Sequence, residues 1–145
     1  MDGEGTLKDA QKDFLEQYDF SNIYILGGPL AVNEAYDGVL VDYADTVERL
    51  AGINRRATSV LVAETFFDSP DAAVVAYSKN FPDGLCGGPL ANALGAPILL
   101  TETAAPTEAI NYARTVGINA GYALGGSGLV SDDAVKAILG TDAVR

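Results

Sequence analysis

The chain has 145 residues, of which 48% are apolar and 20% are charged, and its formal net charge at pH 7 is −11. This length and this apolar content are enough for one compact domain with its own core. The acidity disfavours nucleic-acid binding, because neutralising phosphates requires clustered lysine and arginine.

The sequence contains no histidine and a single cysteine, Cys86. It therefore excludes an internal disulfide bond, the usual zinc ligand sets, and nucleophilic catalysis of the Ser-His or Cys-His type. Without a histidine partner, Cys86 is expected to be a small buried side chain rather than a reactive thiol. No apolar run reaches the roughly 20 residues of a membrane span. The first residues lack the pattern of a signal peptide, so an export signal is expected upstream of them.

The first predicted elements are a helix, a strand and a second helix. Residues 7–18 carry apolar side chains among charges, which predicts a surface helix with a narrow apolar stripe. The apolar run 22–26 ends at Gly27 and Gly28, which predicts a buried strand followed by a tight turn. Residues 29–40 begin with a proline, which predicts a helix that starts there.

Two further pairs of a strand and a helix follow along the chain. The first pair is predicted as a strand over 46–52 and a helix over 58–67, with a loop between them. The second pair is predicted as a strand over 72–78 and a helix over 83–94, which ends at Gly95.

The last predicted elements complete an alternating pattern. A strand is predicted over 96–101, a helix over 106–115, a strand over 120–124 and a helix over 131–139, with Ser131 as its N-cap. Alternating strands and helices of this length predict a parallel sheet with right-handed crossovers. The predicted fold class is therefore α/β, with about five parallel strands and helices on both faces of one sheet.

Residues 22–40 have an internal counterpart at residues 120–138. Tyr24, Gly27, Gly28 and Val32 match Tyr122, Gly125, Gly126 and Val130 at one constant offset, 122 − 24 = 98 residues. A fixed period indicates an array of similar modules, and arrays often present binding surfaces. Residues 1–44 are accordingly interpreted as the helix-strand-helix tail of one repeat and residues 45–145 as one module, packed together as one compact unit.

Four short motifs resemble those of the cell-wall-binding repeat 2 modules, which occur in arrays on surface proteins of Gram-positive bacteria. The motifs comprise Ala51, Gly52, Arg55 and Thr58; Phe81 to Leu85; Pro97 to Thr101; and Gly125, Gly126, Val130 and Ser131. Together they cover one module over roughly residues 45–140.

This resemblance implies a Rossmann-like α/β unit without catalytic activity. It also implies non-covalent attachment of an extracellular surface protein to the cell wall, through an anionic secondary polymer such as a teichoic-acid-like glycan. Modules of the family commonly pack with neighbouring repeat modules, which are therefore expected partners, and a homo-oligomer is a further possibility.

Arg55 and Arg56 are the first candidates for contact with such a polymer. They are adjacent in a predicted loop, and arginine can hold a phosphate or carboxylate through two hydrogen bonds. For Arg55, the alternative is that it pairs with a nearby acid and anchors the loop. Arg56 is instead interpreted as a solvated surface charge.

The remaining candidates lie at or near the carboxyl ends of predicted strands, where open α/β folds bind ligands. Asn80 and Asp83 precede a helix, so that capping of free backbone N–H groups is the alternative to binding sugar hydroxyls. Thr101 ends its strand at the same edge. The predicted ligand-binding set is Arg55, Thr58, Asn80, Asp83 and Thr101.

Two other functions remain open at this point. A structural or oligomerisation module between repeats is one of them. The other is a small nucleotide- or phosphate-binding enzyme, although the Gly-Gly turns lack the full glycine fingerprint of such proteins. No cofactor or metal is expected, except that Ca²⁺ could bridge an acidic protein and an acidic polymer. Neither nucleic acid nor membrane insertion is expected.

Overall fold

The computed structural model describes residues 5–80, 82–140 and 142–144, without the side chains of residues 83 and 142–144. The chain divides into two compact units, of which the first ends at Ile53 and the second begins at Asn54. The sequence had placed a boundary after residue 44, within one compact unit. The structural boundary lies later because the strand that follows residue 44 pairs with the first strand of the chain.

In its described residues, the first unit contains two helices, a short 3₁₀ turn and two strands. In chain order they are α1 (Asp9–Leu15), β1 (Phe20–Leu26), α2 (Ala35–Val39), the 3₁₀ turn Leu40–Asp42 and β2 (Ala44–Leu50). The strands pair in parallel, from Phe20 opposite Ala44 to Leu26 opposite Leu50. The expectation of a buried first strand was wrong, because Ile25 alone among the residues of β1 is buried in this two-stranded sheet.

The helix predicted from Pro29 begins later, because the chain first makes a tight turn. The backbone N–H groups of Ala31 and Val32 donate to the carbonyl of Gly28 at 2.8 and 3.0 Å. The helix α2 then begins at Ala35, whose N–H donates to Asn33 Oδ1 at 2.9 Å.

Arg49, on β2, stabilises this turn from the side. Its Nε donates to both carboxylate oxygens of Asp37 at 2.9 and 3.1 Å. Its Nη1 donates to the carbonyls of Gly27 and Val32, at 2.7 and 2.9 Å, and its Nη2 to the carbonyl of Asn33 at 3.2 Å. A charged donor that satisfies several carbonyls at once fixes the course of the chain between β1 and α2.

The second unit contains four strands and five helices in its described part. They are α3 (Arg55–Phe66), β3 (Ala72–Tyr77), α4 (Pro82–Leu85), α5 (Gly87–Leu94), β4 (Ile98–Thr101), α6 (Thr107–Val116), β5 (Ala120–Leu124), α7 (Asp132–Leu139) and β6 (Asp142–Val144). The strand order is β4-β3-β5-β6, and all three pairings are parallel. The α/β class with parallel strands is confirmed. The single sheet of about five strands is not, because the six described strands form two separate sheets.

Helices cover both faces of the four-stranded sheet, as predicted. On one face, α3, α6 and α7 form the core with alternate strand residues: Ala73, Val75, Leu99 and Ala123. On the other face, α4 and α5 pack on β3. The approach of α5 is close at Gly87, where an added Cβ would lie 2.7 Å from Leu124 Cδ1. The sheet therefore forms the middle of three layers, with its loops at two opposite edges.

The repeat seen in the sequence is also a structural repeat. Gly27 and Gly125, which follow β1 and β5, have φ values of 118° and 105°, a region that favours glycine. The N–H groups of Leu129 and Val130 donate to the carbonyl of Gly126 at 3.0 and 3.1 Å. These bonds match those of Ala31 and Val32 to Gly28 residue for residue, so the tight turns are confirmed.

Helix ends account for two further outcomes. Gly95 ends α5 with a φ of 59°, and Ser131 Oγ caps α7 by accepting from the N–H of Ala134 at 3.1 Å, as predicted. Cys86, which was expected to be buried, is exposed. It lies between α4 and α5, where the buried glycine Gly87 rather than the cysteine faces the sheet.

Candidate functional site

The candidate site lies at the carboxyl edge of the four-stranded sheet. Tyr77 and Thr101 are opposite each other at the ends of β3 and β4, and the N–H of Ser78 donates to the carbonyl of Thr101 at 2.8 Å. The residues that follow these strands, Lys79 and Glu102, therefore leave the sheet side by side. Parallel α/β folds usually bind their ligands at this edge.

Helix α3 begins at this edge of the sheet, and Asn54 is its N-cap. Asn54 Oδ1 accepts from the N–H groups of Arg56 and Ala57 at 2.9 and 3.1 Å. Arg55 and Arg56 therefore occupy the first turn of a helix, whereas the sequence had predicted a loop followed by a helix from residue 58. The side chain of asparagine is among the best acceptors for free N–H groups at a helix start.

Arg55 connects the first turn of α3 to the end of β3. Its Nη1 donates to the carbonyl of Ser78 at 2.8 Å, and the residue as a whole is exposed. Of the two readings of the sequence, anchoring is thus observed, but the acceptor is a carbonyl instead of an acidic side chain. Anchoring and exposure are compatible, since a guanidinium carries five N–H donors.

Arg56 forms an ion pair with Glu102, so its interpretation as a solvated charge was wrong. The contact joins Arg56 Nη1 to Glu102 Oε1, and Lys79 Nζ lies 2.9 Å from Glu102 Oε2. Ser78 Oγ donates to the same carboxylate at 3.4 Å. Glu102 thereby holds the cationic groups of Arg56 and Lys79 close together at the edge of the sheet.

Ser59 fixes the position of Arg56 relative to the sheet. Ser59 Oγ accepts from the N–H of Leu100, on β4, at 3.0 Å and donates to the carbonyl of Arg56 at 2.7 Å. One hydroxyl therefore joins the first turn of α3 to the neighbouring strand, using both its donor and its acceptor capacity.

The local charge is positive although the chain is acidic. Three of the nine basic residues, Arg55, Arg56 and Lys79, lie at this edge with the carboxylate of Glu102. The hydrogen bond from Lys79 and the charge of Arg56 hold the pKa of Glu102 below its usual range, against the opposing effect of desolvation. The hydrogen bond and charge of Glu102 raise the pKa of Lys79. At neutral pH the cluster therefore contains three cations and one anion.

Two of the predicted ligand-binding residues instead stabilise the backbone. Thr58 is half-buried, and its Oγ1 donates to the carbonyl of Asn54 at 3.2 Å, within the first turn of α3. Thr101 is 0% exposed, and its Oγ1 donates to the carbonyls of Glu102 and Ala104 at 3.2 and 3.4 Å. A ligand at the surface has no access to the Thr101 hydroxyl.

The last two predicted residues lie on the segment after β3. Asn80 is exposed, directly after Lys79. Asp83 belongs to α4, but its side chain lies outside the part of the chain that the structure describes, as does Phe81. The capping and sugar-binding roles of Asp83 therefore stay predictions.

Sequence reasoning missed Ser78, Lys79 and Glu102. A usable pattern was present, because Ser78 ends a predicted strand and Lys79 and Glu102 each directly follow one, at the edge already chosen for the site. Arg55 and Arg56 are adjacent in the sequence and are therefore easily recognised as a pair. Lys79 and Glu102 are separated by 23 positions in the sequence. Only the parallel pairing of β3 and β4 brings them together.

The arrangement suits the binding of anions. Guanidinium and ammonium groups donate to phosphate or carboxylate oxygens, and arginine can do so through two parallel hydrogen bonds. In the described residues, no group of three or more cysteine, aspartate or glutamate side chains is placed to hold a metal ion. Within the same residues, the helices are all too short or too polar to cross a membrane.

The fold and the site together define a small parallel α/β module with a cationic edge. The family described as Cell wall binding domain 2 (CWB2) matches residues 49–135. The chain therefore belongs to the CWB2 family, and the resemblance inferred from its motifs is confirmed.

Comparisons with individual proteins agree with this assignment. The chain is 34% identical over 97 residues to the amidase enhancer of Bacillus subtilis (strain 168), an alignment that covers 67% of this chain and 14% of that protein. Among solved structures, it is similar to Cwp8 from Clostridium difficile, with a TM-score of 0.74 and 25% identity over 89% of this chain.

Cwp6 from Clostridium difficile shares the fold, with a TM-score of 0.78 and 22% identity over 92% of this chain. The match covers 22% of each of these two Clostridium difficile chains. This chain thus corresponds to a small part of each protein to which it is similar.

Proposed function

We propose that this chain is a non-catalytic module that attaches a surface protein to the cell wall by binding an anionic secondary polymer. The observation that carries the proposal is the convergence of Arg55, Arg56 and Lys79 at one edge of an otherwise acidic chain. Membership of the CWB2 family supports the cell wall as the target and the cell surface as the location.

The polymer is proposed to bind through its phosphate or carboxylate groups. Arg56 and Lys79 share one carboxylate, Glu102, and an anionic group of the polymer offers the same type of oxygen to both cations. Arg55 lies one residue away on the helix, and exposed Asn80 can add hydrogen bonds to sugar hydroxyls. The proposed site is therefore Arg55, Arg56, Lys79 and Asn80.

The overall charge of −11 opposes such binding only weakly at physiological salt. The Debye length is about 8 Å at 0.15 M salt, so exposed carboxylates farther away are largely screened. The polymer then responds mainly to the local excess of cations. Recruitment of Ca²⁺ as a bridge is a further way to offset the remaining acids.

A wall-binding assay tests the proposal, using variants in which neutral glutamine replaces a cationic side chain. The purified chain is incubated at about 0.15 M salt with isolated Gram-positive walls, either intact or stripped of secondary polymers by hydrofluoric acid. The variant Arg56→Gln with Lys79→Gln is expected to bind intact walls at least about tenfold more weakly, since two charge-assisted contacts are lost. Stripping the walls is expected to abolish binding by the unmodified chain.

Arg114→Gln is the matched control. Arg114 is an exposed arginine in the last turn of α6, which leads into the amino end of β5 and so lies at the opposite edge of the sheet. Its removal changes the net charge without touching the site. Equal losses for Arg114→Gln and for the double variant would contradict a local site, and undiminished binding to stripped walls would contradict a polymer ligand. Repeating the assay with EDTA separates direct binding from a Ca²⁺ bridge.

A further inference from the structure

Glu102 occupies the same cationic groups that the proposed function assigns to the polymer. Its Oε1 contacts Arg56 Nη1, and its Oε2 lies 2.9 Å from Lys79 Nζ. Ser78 Oγ donates to Oε1 at 3.4 Å. Each oxygen of one carboxylate thus has a cationic partner, and a phosphate or carboxylate of a ligand would bind the two cations in the same way. An incoming anion therefore meets a site that already contains an anion.

The backbone around Glu102 keeps this carboxylate beside the site. The N–H of Ser78 donates to the carbonyl of Thr101 at 2.8 Å, and the buried Thr101 Oγ1 donates to the carbonyl of Glu102 at 3.2 Å. A group tethered a few bonds from its partners competes with free ligands at an effective concentration on the order of millimolar or above. A ligand must therefore displace Glu102 in order to bind both cations.

The two ion pairs of Glu102 can open without unfolding of the chain. The side chains of Glu102, Arg56 and Lys79 are 28%, 27% and 63% exposed. Ion pairs in contact with water contribute little net free energy, because solvent and salt screen them. When the Glu102 side chain rotates into water, Ser59 Oγ still donates to the carbonyl of Arg56 at 2.7 Å. The cations are thus expected to stay in place when the carboxylate leaves.

Arg55 offers an incoming polymer a first contact. Its Nη1 donates to the carbonyl of Ser78 at 2.8 Å, and in the described part of the chain its guanidinium pairs with no carboxylate. Arg55 is exposed, and a guanidinium has five N–H donors, so further donors remain available. One anionic group of a polymer can therefore bind Arg55 while Glu102 is still in place. The next anionic group then reaches Arg56 and Lys79.

We propose that Glu102 is an internal competitor of the wall polymer, whose carboxylate occupies Arg56 and Lys79 in the free chain and is displaced when the polymer binds. This inference rests on the proposed function, because it concerns the same site. The competition sets a threshold for binding. Small single anions do not reach it at ordinary concentrations, whereas a polymer with many anionic groups does, because its second group binds at a high effective concentration.

A titration with inorganic phosphate tests the proposal. Binding to the intact chain is followed by NMR, through the backbone amides at this edge of the sheet. Glu102→Gln, which keeps the shape of the side chain, is expected to bind phosphate about three to ten times more tightly than the unmodified chain, because two partly exposed ion pairs no longer have to be broken.

Glu64→Gln is the matched control, since it removes the same charge from an exposed position near the far end of α3. Glu64 lies about 12 Å from Arg56 along the helix, which exceeds the Debye length of about 8 Å at 0.15 M salt. The control is therefore expected to bind phosphate as the unmodified chain does.

A double-mutant cycle shows whether the gain comes from the released cations. Glu102→Gln is added to the variant that carries Arg56→Gln and Lys79→Gln, where it is expected to give no gain, because no ion pair remains to be released. Wall binding by Glu102→Gln is measured in parallel, and it is expected to be tighter than that of the unmodified chain.

Each outcome decides the proposal. Tighter phosphate and wall binding by Glu102→Gln, with the phosphate gain absent from Glu64→Gln and from the combined variant, supports it. Unchanged or weaker binding by Glu102→Gln would overturn it, since a residue that only positions the cations gives that result. Equal gains at both glutamates, a gain that persists in the combined variant, or no measurable phosphate binding by any variant would also overturn it.

These failures are distinct from failure of the proposed function. If Arg56→Gln with Lys79→Gln loses wall binding while Glu102→Gln gains nothing, the site binds the polymer and the competition is absent. If that double variant keeps its wall binding, the proposed function is wrong, whatever phosphate does.

Discussion

Asn54 positions the two arginine side chains of the candidate site. By accepting from the N–H groups of Arg56 and Ala57, it starts α3 at Arg55 and places both guanidinium groups over the ends of β3 and β4. The site thus depends on an uncharged residue whose side chain binds backbone N–H groups.

Asn54→Ala is expected to lower the free energy of unfolding by about 1 kcal/mol, the usual contribution of an N-cap side chain. It is also expected to weaken wall binding, because the first turn of α3 frays. Urea denaturation measures the first effect. Asn111→Ala, at an exposed position within α6, is the control and is expected to leave stability unchanged or slightly raised. Equal stability of Asn54→Ala and the unmodified chain would contradict the assigned cap.

Glu102 gives the site a pH dependence with a definite sign. Its pKa in the folded chain lies below the ordinary value of 4.5, so its ion pairs contribute stability above that value. The contribution is lost as the pH falls through the lowered pKa of the folded state. It is small, because both partners and the carboxylate are accessible to water.

We therefore expect Glu102→Gln to be less stable than the unmodified chain at neutral pH, with the difference vanishing below the usual carboxylate range. Thermal unfolding in matched buffers across that range measures it. A constant difference at all pH values would mean that Glu102 acts by shape or hydrogen bonding alone. A difference that grows in acid would contradict the assigned sign.

For single residues, the sequence alone was enough to predict that Arg55 and Asn80 lie at the carboxyl edge of the sheet. It could not be used to predict that the Thr101 side chain is enclosed, because its hydroxyl donates to carbonyls of the following turn, at Glu102 and Ala104, whose positions a strand pattern does not give. The ion pair between Arg56 and Glu102 could not be predicted either, because the two residues are 46 positions apart in the sequence.

The element that defines the repeat is the turn after β1 and after β5. In both turns a glycine with positive φ is followed by a second glycine whose carbonyl accepts two N–H groups. The first glycine is needed for its backbone conformation, and the second lies where side chains are tolerated.

Neighbouring substitutions separate these two roles. Gly125→Ala is expected to cost about 1–3 kcal/mol, because a φ of 105° is strained for any residue with a Cβ. Gly126→Ala is expected to be close to neutral, since an added Cβ there meets no atom within 4 Å. Chemical denaturation of the two variants measures the difference. Similar costs at both positions would contradict the assignment of strain to the first glycine.

Elements whose ends depend on local chemistry were predicted closely. Strand β5 has the predicted bounds, 120–124, and α7 begins directly after the predicted cap Ser131. The helix expected from Pro29 starts at Ala35 instead, after a turn whose carbonyls at Gly27 and Val32 accept from Arg49, a residue 20 positions after Pro29. The division of the strands into two sheets was also beyond local reasoning, since apolar runs indicate strands but not their partners.

At the scale of the whole molecule, the two units differ in how much of their sheet is covered. In the part of the chain that the structure describes, the second unit has four strands between two layers of helices, whereas the first has two strands and an apolar groove between α1, β1 and α2. Two-stranded sheets have little independent stability unless they are packed against other elements.

We expect the backbone amides of β1 and β2 to exchange with deuterium at least about tenfold faster than those of β3 and β5, because local opening is easier where fewer apolar contacts must be broken. Exchange measured by mass spectrometry on the intact chain tests this. Leu26, on β1, is 52% exposed and Val75, on β3, is 0% exposed, so the peptides that contain them allow a direct comparison. Equal protection in both units would mean that the first sheet is stabilised by contacts that its exposure does not reveal.

Arg49 is the first residue of the family match, yet its side chain holds the turn between β1 and α2 of the first unit. The family match and the second unit, which begins at Asn54, therefore do not start at the same residue. Shortening the protein to residues 49–135 would therefore keep this guanidinium but remove every carbonyl that it binds. A shorter piece is better begun at Asn54, where the second unit starts.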